Sequence, residues 1–417
     1  MRRLAAADAQ THWLSAKMPS DQFLVYGFAG GPDDPREALE PVRQRARGCG
    51  ELRLRVREHG PLTYPEWARA DIDDRQFCVH ELDHRSWPNC LAAIRRLADG
   101  QLDAREMTWR LHLFGAVEAI PGADRPGTVA VLQTTHALAD GVRSSALAAL
   151  LFGRPGGVEP VPTACWPASR LPGRAIKAAR THRRLLRDVA AGHTPPQADT
   201  RPPLRTNARP SGERHVRTIV RRRQALPGPT VTTGVLAAVS GALAAQLREL
   251  GDDPATLGAE VPMATAGKRL AHNHFGNVGV DLHPELDFVG RAHRIAQDLA
   301  DRRRRAAHPG MRAAGLAFAA TPAPLLRWGV AQFDPDVRAP LVIGNTVVSS
   351  VDRGAADLSF GGAPVVVTTG FPELSPMVGL AHGVHGIGDT IAVSVHAAES
   401  AIGDVDAYTA RLAAALG

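Results

Sequence analysis

The sequence predicts a mixed α/β protein built as two lobes, and three observations carry that prediction. The chain is 417 residues long, more than a single hydrophobic core usually serves. Residues 1–155 alternate short strand-like runs with helical patterns. A stretch rich in proline and arginine, residues 155–212, then separates that half from a second one in which the alternation resumes. The division that follows is a first lobe over 1–160, a connection over 161–212 and a second lobe over 213–417.

The elements can be read in order. FLVYGF and LRLRV are short β-prone runs, CLAAIRRLADGQL is a helical pattern, and TWRLHLFGAV and TVAVLQTT are two further β-runs. TVAVLQTT leads through THALADG into VRSSALAALL, where Val142, Ala146, Ala149 and Leu150 fall at helical spacing. This is a strand, a turn and a helix, with His136 where the strand leaves its sheet. The connection consists of RPGGVEPVPTACWPASRLPGR and TPPQADTRPPLRTNARPSG around the basic segment AIKAARTHRRLLRD. The second half reads as RHVRTIVRRRQAL, a long helix at 231–250, the strand-like GAEVPMA, a helix at 290–305, the β-runs APVVVTTG and DTIAVSVHA, and a last helix at 404–416. No repeat of fixed period is present.

Composition narrows the function. Hydrophobic residues make up 44%, as in ordinary globular chains, and 49 Lys+Arg against 42 Asp+Glu give a net charge of +7. Lys17, Lys177 and Lys268 are the only lysines, so the excess is arginine in a chain rich in Ala, Gly and Pro. That pattern fits high-GC codon usage, and it weakens the case for a nucleic-acid partner. Cys49, Cys78, Cys90 and Cys165 form no C-x-x-C pair and no metal spacing, so they read as reduced and structural. The opening MRRLAAADAQ is broken by Asp8 well short of a signal-peptide core, so a cytoplasmic location is expected. TVTTGVLAAVSGALAAQL (230–247) approaches membrane-spanning length, but its Thr, Ser and Gly make a buried helix the better reading.

His136 is the candidate for chemistry. Its imidazole needs little tuning to accept a proton near neutral pH, as a general base at a bound hydroxyl would. The alternative is a hydrogen-bonded interior histidine, with Asp140 capping the helix that follows. H-x-x-x-D-G by itself is too short to decide between them. Trp109 reads either as a core or inter-lobe aromatic or as a substrate contact. The basic segment 170–187 reads either as a surface for anionic lipid or coenzyme A phosphates or as a solvated helix. The histidines of AHNHFGN (271–277) lack a third ligand nearby in sequence, so no metal site is expected there.

Ordered matches across most of the chain add to this reading. THALADG resembles the HHxxxDG motif of the bacterial wax ester synthase/diacylglycerol acyltransferase family. WARADIDDRQFCVHEL (67–82), QLDAREMTWRLHLFG (101–115), TNARPSGERHVRTIV (206–220), TVTTGVLAAVSGALAAQLRELG, AEVPMATAGKR and FGNVGVDLHPEL resemble its other segments in order and spacing. The resemblance implies the fold shared with chloramphenicol acetyltransferase and condensation domains: two lobes of mixed sheets flanked by helices, with a substrate tunnel between them. It implies His136 as the general base for an alcohol attacking an acyl thioester. It makes Asp140 a structural residue paired with Arg269, and Gly141 the residue that permits a tight turn. Acyl-CoA would be a substrate rather than a cofactor, the acceptor a lipid or small-molecule alcohol, and the protein peripheral to membranes or lipid droplets. A carrier-protein thioester is the variant donor, and a catalytically silent scaffold that binds an acyl chain or a partner is the rival.

The departures from the family pattern fall at expected substrate positions. Thr135 stands where the family has the first histidine, and Thr232-Thr233 where it has Asn-Asp. SSVDRG (349–354) replaces a Ser-Asn-Val-Pro-Gly-Pro loop, Met107-Thr108-Trp109 replaces Pro-Leu-Trp, and Gly276-Asn277 is retained. Thr135, Trp109, Thr232, Thr233 and Asn277 are therefore the expected substrate-facing residues.

Overall fold

Two six-stranded sheets organise the chain, and the apolar runs of the sequence form their central strands. The computed structural model describes residues 2–162 and 168–417. The first half contains β1 (Arg2–Arg3), α1 (Ala6–Ser15), β2 (Gln22–Phe28), α2 (Leu39–Gly48), β3 (Leu54–Arg57), β4 (Glu66–Arg69), β5 (Phe77–His80), α3 (Trp87–Leu97), β6 (Trp109–Val117), β7 (Gly127–Thr134) and α4 (Gly141–Leu151). The connection carries α5 (Leu171–Ala190). The second half contains β8 (Arg214–Arg222), α6 (Val231–Glu249), β9 (Gly258–Ala264), β10 (Phe275–Asp281), α7 (Phe288–Ala306), α8 (Pro309–Phe318) and α9 (Ala323–Ala331). It continues through β11 (Thr346–Asp352), β12 (Ser359–Phe360), β13 (Ala363–Phe371), β14 (Leu380–Ile387), β15 (Thr390–Ala398), α10 (Glu399–Ile402) and α11 (Val405–Ala415).

The first sheet runs β12-β13-β2-β7-β6-β5, the second β10-β9-β11-β14-β15-β8, and a small third β1-β4-β3. Both large sheets are mixed: β5 pairs parallel with β6, β11 parallel with both β14 and β9, and the other pairs are antiparallel. One side of the first sheet packs Tyr26, Phe28, Phe152 and Phe360 into an aromatic cluster. The second sheet packs Val393 and Val395 against α6 and α11. α6 is the one helix among the described residues long and apolar enough to cross a bilayer, yet most of it is buried in this core.

The two-lobe expectation needs one correction. The second lobe does not run unbroken over 213–417, because β12 and β13 leave it and extend the first sheet beside β2. The β-branched residues of APVVVTTG suit a strand on the open edge of β2, whose backbone groups would otherwise go unpaired. β13 also packs across β14 and β15 of the second sheet, so one strand belongs to one lobe and is wedged against the other. SSVDRG differs from the expected loop too, since Ser349–Asp352 continue β11 along β14. Without the family's prolines every residue there has an N–H to give the ladder. Cys49, Cys78 and Cys90 are free thiols, and Cys165 lies outside the described residues.

The junction between the sheets is tight. The Ser394 hydroxyl donates to the Gly370 carbonyl, and a Cβ on Gly383 would stand 2.6 Å from that same oxygen. Gly383→Val is therefore expected to force β13 and β14 apart and to lower stability by about 1–3 kcal/mol, the usual cost of overpacking. Urea unfolding measures it, and an unchanged midpoint would refute the close approach.

Candidate active site

β7 ends at Thr134, and Thr135–Leu138 form the turn that lifts His136 out of the sheet. The turn is pinned by the Thr135 N–H donating to the Thr108 carbonyl (2.9 Å) and the Leu138 N–H to the Thr135 carbonyl (3.0 Å). His136 is half-buried, and Phe275 of β10 stacks on its ring at 5.5 Å between centroids. Its Nδ1 lies 2.8 Å from Asn273 Oδ1, while the Asn273 amide nitrogen donates to the His136 carbonyl at 2.8 Å. His136 Nε2 has no protein partner among the described residues.

Both readings of Asp140 hold at once. Oδ1 accepts from the Arg143 N–H at 2.9 Å and so caps α4. Oδ2 accepts from Arg269 Nη1 at 2.7 Å and from the His274 N–H at 3.0 Å. Burial opposes ionisation, yet the Arg269 guanidinium and these N–H groups hold the carboxyl below the usual carboxylate range. Arg269 Nη1 also reaches the His272 carbonyl at 2.7 Å, so the segment 269–274 folds over the α4 N-terminus. Gly141 has a different reason from the one expected. It does not adopt positive φ, but a Cβ there would meet Val351 of β11 at 3.2 Å, so it serves close approach rather than a turn.

The expected substrate-facing residues separate. Trp109 is fully buried, donates its indole N–H to the Leu52 carbonyl at 2.8 Å and meets Phe77 edge-on, so it is a core residue and not a substrate contact. Thr233 is also committed elsewhere: its hydroxyl accepts from the Thr230 N–H at 3.0 Å and completes the cap of α6. Thr232 bonds Ser350 through hydroxyls 3.0 Å apart, one residue from the Val351 that abuts Gly141. Asn277 is exposed on the same face of β10 as Phe275 and donates to Glu260 across the β9–β10 pair. Thr135 is buried, with its hydroxyl unpartnered among the described residues.

Two residues that the sequence reading missed complete the site. Asn273 was visible only as part of AHNHFGN, and Asp8 only as an interruption of an apolar run. Asp8 lies buried on α1 and accepts from the N–H groups of His272 and Asn273, both at 2.9 Å, and from the Asn273 side chain at 3.2 Å. The histidines of AHNHFGN face protein groups. His272 sits between Asp8 (3.2 Å) and Glu51 (3.1 Å), and His274 Nε2 faces the Gly267 carbonyl at 3.2 Å. Burial would raise Glu51, but the hydrogen bond from His272 and the guanidiniums of Arg2 and Arg143 hold it at about 2. One group, Asp281, His283 and Asp298, has donor atoms close enough for a cation. It is satisfied internally, since Arg201 holds Asp281 at 2.8 Å and His283 faces Asp298 at 2.7 Å. His136 lines none of the three described cavities, the largest of which, about 410 Å³, lies against α3 and His80.

No protein-family model and no curated protein sequence matches the chain. Solved structures do. The wax ester synthase/diacylglycerol acyltransferase from Marinobacter aquaeolei VT8 superposes with a TM-score of 0.63 at 17% identity, over 99% of this chain and 98% of that one. A mutant starter condensation domain of rhizomide synthetase RzmA, in complex with C8-CoA and Leu-SNAC, gives 0.59 at 15% identity, over 98% and 91%. A mutant of that domain with C8-CoA alone gives 0.58 at 16%, over 98% and 92%. The chain has their fold. Within it, the Asp140–Arg269 pair and His136 lie where the halves of the chain meet.

Asp140 gives a test with two arms. Asp140→Asn keeps an oxygen for the Arg143 N–H and loses the charge facing Arg269, whereas Asp140→Ala loses both. At pH 7 both variants should unfold at lower urea than wild type, the Ala variant lower still by about 1 kcal/mol for the missing cap. Because the folded carboxyl is depressed, the pairing is present above the unfolded value of roughly 3.9 and lost as pH falls through the lower folded value. An Asn variant as stable as wild type would show that the Arg269 pairing contributes nothing.

Proposed function

We propose that the protein is an O-acyltransferase that moves an acyl group from acyl-CoA to an alcohol, with His136 as general base. The observation that carries this reading is the state of that imidazole: Nδ1 is engaged by Asn273, and Nε2 has no protein partner among the described residues at the junction of the lobes. Nε2 takes the hydroxyl proton as the alcohol oxygen attacks the thioester carbonyl carbon. The carbon–sulfur bond then breaks, and the leaving thiolate of coenzyme A receives the proton from His136. No covalent enzyme intermediate is needed, and most of the rate gain comes from holding the two substrates together beside the base. The printed names of the similar structures, an acyltransferase and condensation domains with C8-CoA, support a thioester donor. The resemblance in sequence supports an alcohol acceptor. Thr233 is turned into its own helix cap, and the Thr232 hydroxyl, bonded to Ser350, is the one of the pair left as a candidate for acceptor choice.

Acyl-CoAs of graded length, offered with diacylglycerol, fatty alcohols and small polyols, test this by release of free CoA. His136→Ala should lose 10²–10⁴-fold in turnover, about 3–5 kcal/mol of barrier, with unfolding unchanged. Undiminished turnover in a folded variant would remove His136 from the mechanism. Wild type that releases no CoA with any acceptor would favour the silent scaffold.

The α5 helix supports contact with an anionic lipid surface at the cytoplasmic side of a membrane or on a lipid droplet. Ile176, Arg180, Arg183 and Arg187 recur at i, i+4, i+7 and i+11 and form one exposed stripe, while Leu185 on the other side is buried against α8. Ile176 is 55% exposed and Leu186 53%. The double variant Arg180→Glu, Arg183→Glu should co-sediment with vesicles rich in anionic lipid at least about tenfold less well than wild type. Equal binding would leave α5 as a solvated helix.

A further inference from the structure

We infer that Asp8, acting through Asn273, is a positioning residue that holds His136 in the tautomer protonated at Nδ1, so that Nε2 alone can accept a proton. The inference rests on the acyltransferase reading for its kinetic consequence but not for its geometry.

The argument is one of hydrogen-bond direction. The Asn273 side-chain nitrogen faces two oxygens that can only accept, the His136 carbonyl at 2.8 Å and Asp8 Oδ1 at 3.2 Å. A carboxamide placed the other way would set oxygen against oxygen twice, so its nitrogen belongs on that side. Oδ1 then faces His136 Nδ1 at 2.8 Å. An amide oxygen accepts only, so Nδ1 carries the hydrogen, and in the neutral ring the lone pair is left on Nε2. Each member is fixed by the one behind it.

Asp8 is what stops the amide from turning over. The carboxylate is buried at 1% exposure and takes three donors from two consecutive residues, the N–H groups of His272 and Asn273 and the Asn273 amide, while its Oδ2 also faces His272 Nδ1 at 3.2 Å. A neutral acceptor on an exposed side chain would tolerate either orientation, but a buried carboxylate cannot face an amide oxygen without severe cost. His272 closes the far end, with Nε2 facing Glu51 at 3.1 Å. The order runs from Glu51 through His272, Asp8 and Asn273 to His136. It joins the N-terminal helix to the base, although Asp8 itself makes no contact with the imidazole.

The test reads the tautomer directly. In protein labelled with ¹⁵N at histidine, the His136 signals are those missing from His136→Gln. Wild type should show a protonated Nδ1 and an unprotonated Nε2. Asn273→Leu, and Asp8→Ala with folding checked by urea midpoint, should shift the ring toward the Nε2-protonated form. Both should lower kcat on the order of 10²-fold with KM nearly unchanged. Asp8→Asn, which can still offer an oxygen to the Asn273 amide, should restore much of the wild-type tautomer and rate. An Nε2-protonated ring in wild type, or an unaltered tautomer in folded Asn273→Leu, overturns the inference. A shifted tautomer with unchanged transfer leaves the positioning intact and overturns the assignment of His136 as base.

Discussion

The arrangement depends on one carboxylate. Asp140 caps the helix that follows the THALADG turn and, with its other oxygen, holds Arg269 and the N–H of His274 from the second half of the chain. A cap alone would fix α4 to its own turn, and an ion pair alone would leave that turn free to tilt. Because one group does both, the geometry of the turn carrying His136 is set by the position of the 269–274 segment. That segment also brings Asn273 and Phe275 against the histidine.

Behind Asp140 lies a seam of charge. Arg2, Glu51, Arg143, Asp8 and His272 pair with one another where apolar side chains could have packed. Buried ion pairs add little net stability because desolvation offsets their attraction. Their effect is on register. Apolar contacts between two lobes tolerate sliding, whereas a carboxylate flanked by specific N–H groups does not. The seam therefore defines how the halves meet, and α1 is part of it although it lies far from His136 in sequence.

The sequence made the large features legible. Apolar runs located α6, β7, β13 and β15 because most of each is buried, and helical spacing located α11, whose Val405, Tyr408 and Leu412 share a buried face. Ordered matches pointed to the Asp140–Arg269 contact because a motif in the right context is specific. What stayed hidden depends on direction and distance. Asp8 and Asn273 are single polar residues in segments without a motif, and only the folded chain places them 3.2 Å apart. The resemblance puts Thr233 at the substrate and leaves Trp109 open between core and substrate, because alignment says nothing of where a side chain turns. Thr233 turned back to the Thr230 backbone at the start of its own helix, where its hydroxyl meets both the N–H and the carbonyl. The crossing of β13 was hidden because a β-branched run fits any open edge, and nothing local says which sheet it joins.

That crossing has a bearing on how the molecule is made. β2 pairs with β13, Phe23 with Phe371, so the two strands are separated by most of the polypeptide. As the chain leaves the ribosome, β2, β7, β6 and β5 can associate early, but their sheet keeps one bare edge until the segment beyond residue 363 has been synthesised. Long-range pairings of this kind are slow to form, and an exposed edge is a template for strands of other chains. The first lobe is thus incomplete for most of translation, and a polypeptide cut before β13 is left with an adhesive edge instead of an independent half.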